Sequence, residues 1–222
     1  MSSLWAAQLD AAEGFFDPEA IRQRLHRDFR ADWARSDNSD PTPQDSFLKL
    51  HLFACSRHLS GDAPLEWPER AKTASLWRSV QSGGLVCLLG QRGSGKTQAV
   101  CLMCVAGGVR AIYMPATDLA GHLKSWVSIP GGVIYAKNIR QLQQCPLLVL
   151  DDVHDLAFTE FEGRAIIGIL NLRYAERRPT ILISNDDTIQ SLANRIGSTL
   201  LDRTKEHGAI ITFDWPSFRG KP

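Results

Sequence analysis

The sequence predicts an α/β chain: a parallel five-stranded sheet with helices on both faces, preceded by a small helical region. Three observations predict it. Short apolar runs at 85–89, 110–114, 147–150, 180–184 and 209–213 alternate with helical stretches, the rhythm of βαβ units. A Gly-rich loop follows the first of those runs directly and opens a helix. Upstream of Gly84 the texture differs, with helical periodicity, many Trp and Arg, and turn-rich breaks. A boundary at 83/84 therefore divides a helical N-terminal region, 1–83, from an α/β domain, 84–222.

The N-terminal region opens with "DPEAIRQRLHRDFRADWAR". Asp17 suits an N-cap and Pro18 the first helical position. Ile21, Leu25, Phe29 and Trp33 recur every four residues as one apolar stripe, and arginines occupy much of the rest, diluted by Asp28 and Asp32. The stripe suits either packing against the neighbouring helices or a partner-docking face. "SDNSDPTPQDS" reads as a linker, and further helices are expected over 47–59 and 69–80.

The first β-run leads into "GQRGSGKT", which fits G-x-x-x-x-G-K-[ST]. Glycines let such a loop wrap closely, so that backbone N–H groups converge on phosphate at a helix N-terminus. Gly90, Gln91, Arg92, Gly93, Ser94, Gly95, Lys96, Thr97 and Gln98 are the expected nucleotide-binding residues. Lys96 would meet the β- and γ-phosphates and Thr97 would offer its hydroxyl to Mg²⁺. The expected ligands are thus ATP and Mg²⁺.

The third β-run ends in "PLLVLDDVHD". Parallel sheets bind ligands at the carboxyl ends of their strands, where Asp151 and Asp152 fall. A P-loop enzyme shares Mg²⁺ between the loop hydroxyl and an Asp at the end of a second strand. Asp151 suits that second ligand, and Asp152 then suits the task of orienting or activating the attacking water. A solvated acidic helix cap is the plainer alternative for the pair.

The ordered set "LLVLDDVHD", "RRPTILISN", "LLDR" and "ITFDWPSFR" resembles the DnaC/IstB family of AAA+ ATPases, and within it the DnaC-type replicative helicase loaders of bacteria or phage. The resemblance runs from about Gly84 to Arg219. It implies an AAA+-type P-loop NTPase fold without a helical lid domain. Asn185 matches the sensor position that holds the water near the γ-phosphate. Arg203 matches an arginine finger that reaches a neighbouring subunit's nucleotide, and Arg219 matches a sensor-2-like arginine. The segment Asp118–Gly132 falls where initiator-type relatives carry a helix lining a single-stranded DNA channel, with Lys124 its basic residue. Without the match, Arg203 would read as a surface ion pair with Asp202 or Glu206, and Arg219 as a tail charge.

Two departures from the family pattern matter. Asp152 stands where the family commonly has Glu, one methylene longer. Thr199 stands where a second arginine is common, with Arg195 one helical turn earlier. The resemblance implies a cytoplasmic, ATP-hydrolysing helicase loader that self-associates through its finger and takes a replicative helicase and single-stranded DNA as partners. An IstB-like transposition ATPase and a nucleotide-gated adaptor with little hydrolysis are the rival readings.

Composition sets the remaining bounds. The chain has 222 residues and a formal net charge of +1, so no global charge drives it to nucleic acid. No apolar run reaches membrane-spanning length. The five cysteines are scattered through apolar segments and read as free thiols. Cys101 and Cys104 suit helix packing better than zinc, and His51, Cys55 and His58 share a helical face without an obvious fourth ligand.

Overall fold

The structure, a computed structural model, describes residues 70–107, 109, 111–155, 159–186, 188–214 and 216–217. The helices expected at 17–35 and 47–59, the His51–Cys55–His58 group and Arg219 lie outside these residues.

Five strands form one parallel sheet in the order β2-β3-β4-β1-β5. They are β1 (Leu85–Leu89), β2 (Ala111–Pro115), β3 (Leu147–Asp151), β4 (Thr180–Ile183) and β5 (Ala209–Thr212). Each lies within a residue of its expected place. The order explains their composition. The central strands β3, β4 and β1 are buried at every position, so they read as unbroken apolar runs. The edge strands β2 and β5 mix buried with partly exposed positions.

Helices cover both faces. Helices α1 (Arg70–Gln81) and α2 (Lys96–Gly107) pack on one side, where Leu76, Val80, Ala99, Val100 and Met103 meet Val86, Leu88, Val149, Ile181 and Ile183. The other side carries α3 (Ala116–Ser128), α4 (Val133–Gln144), α5 (Glu160–Ala175), α6 (Ile189–Ile196) and α7 (Ser198–His207). There Leu119, Leu123, Leu142, Ile166, Ile169 and Leu200 meet Cys87, Leu89, Leu148, Leu150 and Leu182. Alternate residues of one strand thus feed opposite cores. Cys101 and Cys104 are buried in α2, and burial pushes the Cys104 thiol far up.

Local chemistry fixes the helix starts. Thr159 caps α5 in a reciprocal box: its hydroxyl accepts from the Glu162 N–H at 3.4 Å while the Glu162 carboxylate accepts from the Thr159 N–H at 2.7 Å. Lys124 of α3 reaches the same carboxylate at 2.8 Å. The Lys124 ammonium first, then the Thr159 donors, hold the Glu162 carboxyl down to about 2.

The N-terminal ends of β3 and β4 are closed by Arg173, which is 0% exposed. Its Nε donates to the Thr180 hydroxyl at 2.9 Å and its Nη2 to the Pro179 carbonyl at 2.6 Å. Its Nη1 donates to the carbonyls of Leu142, Gln143 and Cys145 at 2.8, 3.1 and 2.9 Å. Two of those carbonyls belong to the last turn of α4, whose acceptors have no partner within the helix and sit at the negative end of its dipole.

Candidate functional site

The opposite end of the sheet gathers several of the residues singled out by sequence: the loop Gly90–Gln98, Asp151, Asp152 and Asn185. The first is Gly90, directly after β1. Its φ of +133° is hard for any L side chain, and a Cβ there would lie 2.2 Å from the Phe213 carbonyl oxygen. The loop must start with glycine to turn over the end of β5. Gly93 and Gly95 also have positive φ, of 79° and 91°. The loop then enters α2 at Lys96, with Thr97 and Gln98 in its first turn.

Lys96 is 5% exposed, an unusual burial for a lysine. Its ammonium donates to the Gly90 carbonyl at 2.6 Å, the Gln91 carbonyl at 2.9 Å and the Asn185 Oδ1 at 2.8 Å, with the Ser94 hydroxyl at 3.5 Å. Asn185 follows β4, the strand beside β1. The sheet order therefore sets Asn185 against the loop lysine across 89 residues of sequence.

Asp151 is the last residue of β3 and is 5% exposed. Its Oδ2 accepts from the Thr97 hydroxyl at 2.7 Å and from the Tyr113 hydroxyl at 2.7 Å. Its Oδ1 accepts from the Asp152 N–H at 2.8 Å. Burial raises its pKa; the Tyr113 and Thr97 donors oppose that rise, and the neighbouring Asp152 charge adds to it. Buried negative charge touching a hydroxyl is the donor set that a hard divalent cation relieves. Mg²⁺ characteristically takes only one or two carboxylates and finds its other ligands in phosphate and water. Among the described residues no cluster of three or more His, Cys, Asp or Glu could hold a metal. Thr97 and Asp151 thus fit Mg²⁺ bound together with a polyphosphate.

Tyr113 is a site residue that sequence reasoning missed. It sits on β2, opposite Val149 in register, and its hydroxyl reaches past the strand to Asp151. Burial, and next the Asp151 charge, raise its pKa, so it stays a neutral donor.

Asp152 leaves the sheet with φ 53°, a left-handed conformation that Asp tolerates better than most residues. The turn swings its carboxylate away from Asp151, leaving it 51% exposed and 3.4 Å from the Asn185 Nδ2. The acidic pair therefore has two environments, one buried beside the Thr97 hydroxyl and one open beside Asn185. His154 stands next to this second carboxylate and Asn185, and the Arg92 guanidinium comes within 3.5 Å of its ring.

Arg203 is elsewhere. It lies on α7 and donates to the Asn171 side chain of α5, with its guanidinium 4.9 Å from the centre of the Tyr174 ring. Glu206 accepts instead from the Tyr174 hydroxyl, at 2.6 Å. Thr199 is exposed near the start of α7. Lys124 is committed to its ion pair with Glu162. The segment 116–144 is two helices joined through Gly131 and Gly132, both with positive φ.

Known proteins share this fold. The family profile described as "IstB-like ATP binding protein" matches residues 72–222. The replicative helicase loader DnaC of Buchnera aphidicola subsp. Baizongia pistaciae is 25% identical over 136 residues, covering 60% of this chain and 55% of that one. The chain thus spans about half the length of the curated relatives it matches. A crystal structure of the DnaC helicase loader superposes with a TM-score of 0.54 at 20% identity, over 64% of this chain and 86% of that one. The replication initiator DnaA, bound to AMPPCP and single-stranded DNA, gives 0.55 at 22% identity, over 66% of this chain and 46% of that one. These two structures share the fold.

Proposed function

The chain belongs to the IstB-like ATP binding protein family, and from that premise we propose that it binds and hydrolyses ATP and loads a replicative helicase onto single-stranded DNA. One observation carries the nucleotide reading: Lys96, Thr97, Asp151 and Asn185 converge at the ends of β1, β3 and β4. The loop amides of Gly90–Gln98 and the positive end of α2 hold the triphosphate. Lys96 exchanges its carbonyl partners for the β- and γ-phosphates. Thr97 and Asp151 would hold Mg²⁺, which would supply neutralisation of the charge developing on the transferred phosphoryl group. Asp152 accepts a proton from the attacking water, and Asn185 orients that water without competing for the metal. Arg203 acts on the nucleotide of a neighbouring copy, which makes turnover depend on assembly, and Arg219 acts as a sensor-2-like arginine.

The helicase-loading part is supported by the replicative helicase loaders among the curated relatives. DNA binding is supported by the likeness in fold to a single-stranded DNA-bound initiator. In this reading the protein is cytoplasmic and residues 1–83 dock the helicase.

A second reading has its own observation. Asp152 has the shorter acidic side chain and points into the open. A displacement on the order of 1 Å from the water can cost about 10²-fold in rate. The chain would then be a nucleotide-gated adaptor with little hydrolysis.

ATP turnover separates the two readings. It is measured on the protein alone, with single-stranded DNA, and with a cognate replicative helicase, beside Lys96→Ala and Arg203→Ala. Stimulated turnover that both variants lose supports the loader. Tight ATP binding without turnover in every mixture supports the adaptor. Stimulation by duplex DNA and a transposase, and not by single strands, would replace both with a transposition ATPase.

A further inference from the structure

His154 follows the acidic pair on the short 3₁₀ turn Val153–Asp155, and its side chain is only 13% exposed. It touches all three segments of the site. The Asp152 carboxylate lies 3.9 Å from Nδ1, and the Arg92 guanidinium 3.5 Å from Nε2. Asn185 meets both ring nitrogens: its backbone N–H is 3.3 Å from Nδ1, and its carboxamide Nδ2 is 2.9 Å from Nε2.

These two Asn185 contacts cannot both be hydrogen bonds at one time. A neutral imidazole accepts at one nitrogen and donates at the other, whereas Asn185 presents a donor to each. The carboxamide is fixed from its far side. An ammonium can only donate, and Lys96 Nζ lies 2.8 Å from Oδ1. With Lys96 in that place, Nδ2 must face the ring, Nε2 must accept, and the ring proton sits on Nδ1. The backbone N–H of Asn185 then meets a protonated nitrogen.

Turning the carboxamide over satisfies both ring nitrogens, and it requires two exposed side chains to move aside: the Asp152 carboxylate, 3.4 Å from the carboxamide, and the Arg92 guanidinium, 3.5 Å from Nε2. Oδ1 then accepts from Nε2–H, Nδ1 accepts from the Asn185 backbone N–H, and Nδ2 faces the phosphate loop. Lys96 forbids this orientation while it donates to Asn185. Phosphate oxygens demand it, because they only accept, and a carboxamide oxygen facing them would be repelled.

We propose that His154 is the positioning residue for Asn185, moving its ring proton between Nδ1 and Nε2 so that the carboxamide turns its oxygen to Lys96 in one state and its NH₂ to the γ-phosphate and attacking water in the other. The inference rests on the ATP reading of this site. Protons balance: one leaves Nδ1 to solvent beside the open Asp152 carboxylate, one arrives at Nε2, and the ring stays neutral. Asn185 then donates toward the phosphate loop only when phosphate has drawn Lys96 away.

The test uses the full chain, labelled with ¹⁵N-histidine, and the variants His154→Leu and His154→Gln; the missing signal in each variant assigns His154. Glutamine can accept or donate toward Asn185 by turning its own amide, and leucine can do neither. On addition of a non-hydrolysable ATP analogue with Mg²⁺, Nε2 is expected to change from an acceptor-type to a protonated-type ring nitrogen. ATP turnover is expected to fall about 10- to 100-fold in His154→Leu. Nucleotide Kd should move less than about threefold, and His154→Gln should recover most of the rate. An unchanged ring spectrum, a His154→Leu rate equal to the parent's, or a glutamine variant no better than leucine would each overturn the proposal. A parent chain that binds ATP without turning it over sinks the hydrolysis reading, and the ring spectrum alone then decides the role of His154.

Discussion

At the N-terminal ends of β3 and β4 the Arg173 guanidinium is wholly enclosed; at the C-terminal ends of β1 and β4 the Lys96 ammonium is nearly so. Both cations lie among carbonyls and neutral side chains. They differ in what supplies those acceptors. Arg173 is met by helix-end carbonyls and by the residues that start β4, positions fixed by the fold. Lys96 is met by a glycine loop and by an asparagine that can turn. Arginine's planar fork suits the first task, because its donors are already spread toward fixed acceptors. Lysine's single rotatable ammonium suits the second, because it can leave one set of oxygens for another. A buried charge at one end of the sheet is a structural staple; at the other, under the proposed function, it is the group that exchanges its oxygens for phosphate.

The comparison breaks if the two cations prove interchangeable, and the largest test is at the staple. Arg173→Ala leaves several enclosed carbonyls without donors and is expected to cost about 3–5 kcal/mol in urea unfolding, a large share of a typical domain's stability. Its folded fraction should bind ATP normally. Lys96→Ala should show the reverse, with stability within about 1 kcal/mol of the parent and turnover down by about 10²-fold or more. A Lys96 variant that unfolds as readily as the Arg173 variant would refute the division.

A smaller effect sharpens the functional end. Tyr113→Phe removes one donor from Asp151 and leaves the ring in place. One such hydrogen bond corresponds to about 0.5–1.5 kcal/mol, so turnover should fall by roughly two- to twelvefold. The smallest effect lies away from both ends, at the start of α5. Thr159→Ala should cost about 1 kcal/mol by removing the cap. Glu162 adds a pH signature. Its folded pKa is depressed from about 4.5 to about 2, so its contribution is present above the unfolded value and is lost as pH falls through the folded one. Stability measured between those limits should fall more steeply in the parent than in Glu162→Gln.

The sheet was legible because each strand is a short apolar run followed by a turn or by chemistry. The loop Gly90–Thr97 and Asp151 could be picked out in the sequence because such motifs are residue types at fixed spacing, and the structure brings Thr97 and Asp151 into contact. Tyr113 was hidden: on a strand it reads as an ordinary aromatic, and only the adjacency of β2 and β3 brings its hydroxyl to Asp151. Arg173 was hidden for a similar reason, since a helix arginine looks solvated until the end of α4 is packed over it. His154 stood within the quoted "LDDVHD", but its part depends on Asn185 arriving from another strand. Arg203 carried two readings in sequence, and its contacts with Asn171 and Tyr174 match neither the ion pair with Asp202 nor that with Glu206.

Strand order also sets a timetable. β1 carries the phosphate loop near the start of the sheet's sequence, yet its two neighbours are β4 and β5, the last strands to be made. β4 and β5 leave the ribosome roughly a hundred residues after β1, so loop closure between them is both long and late. During synthesis the loop that would grip phosphate therefore emerges early, but the asparagine that holds its lysine and the strand that shapes its first glycine arrive last. The loop gains its full set of neighbours only when the sheet is nearly complete, which makes occupancy of that loop a reporter of sheet closure.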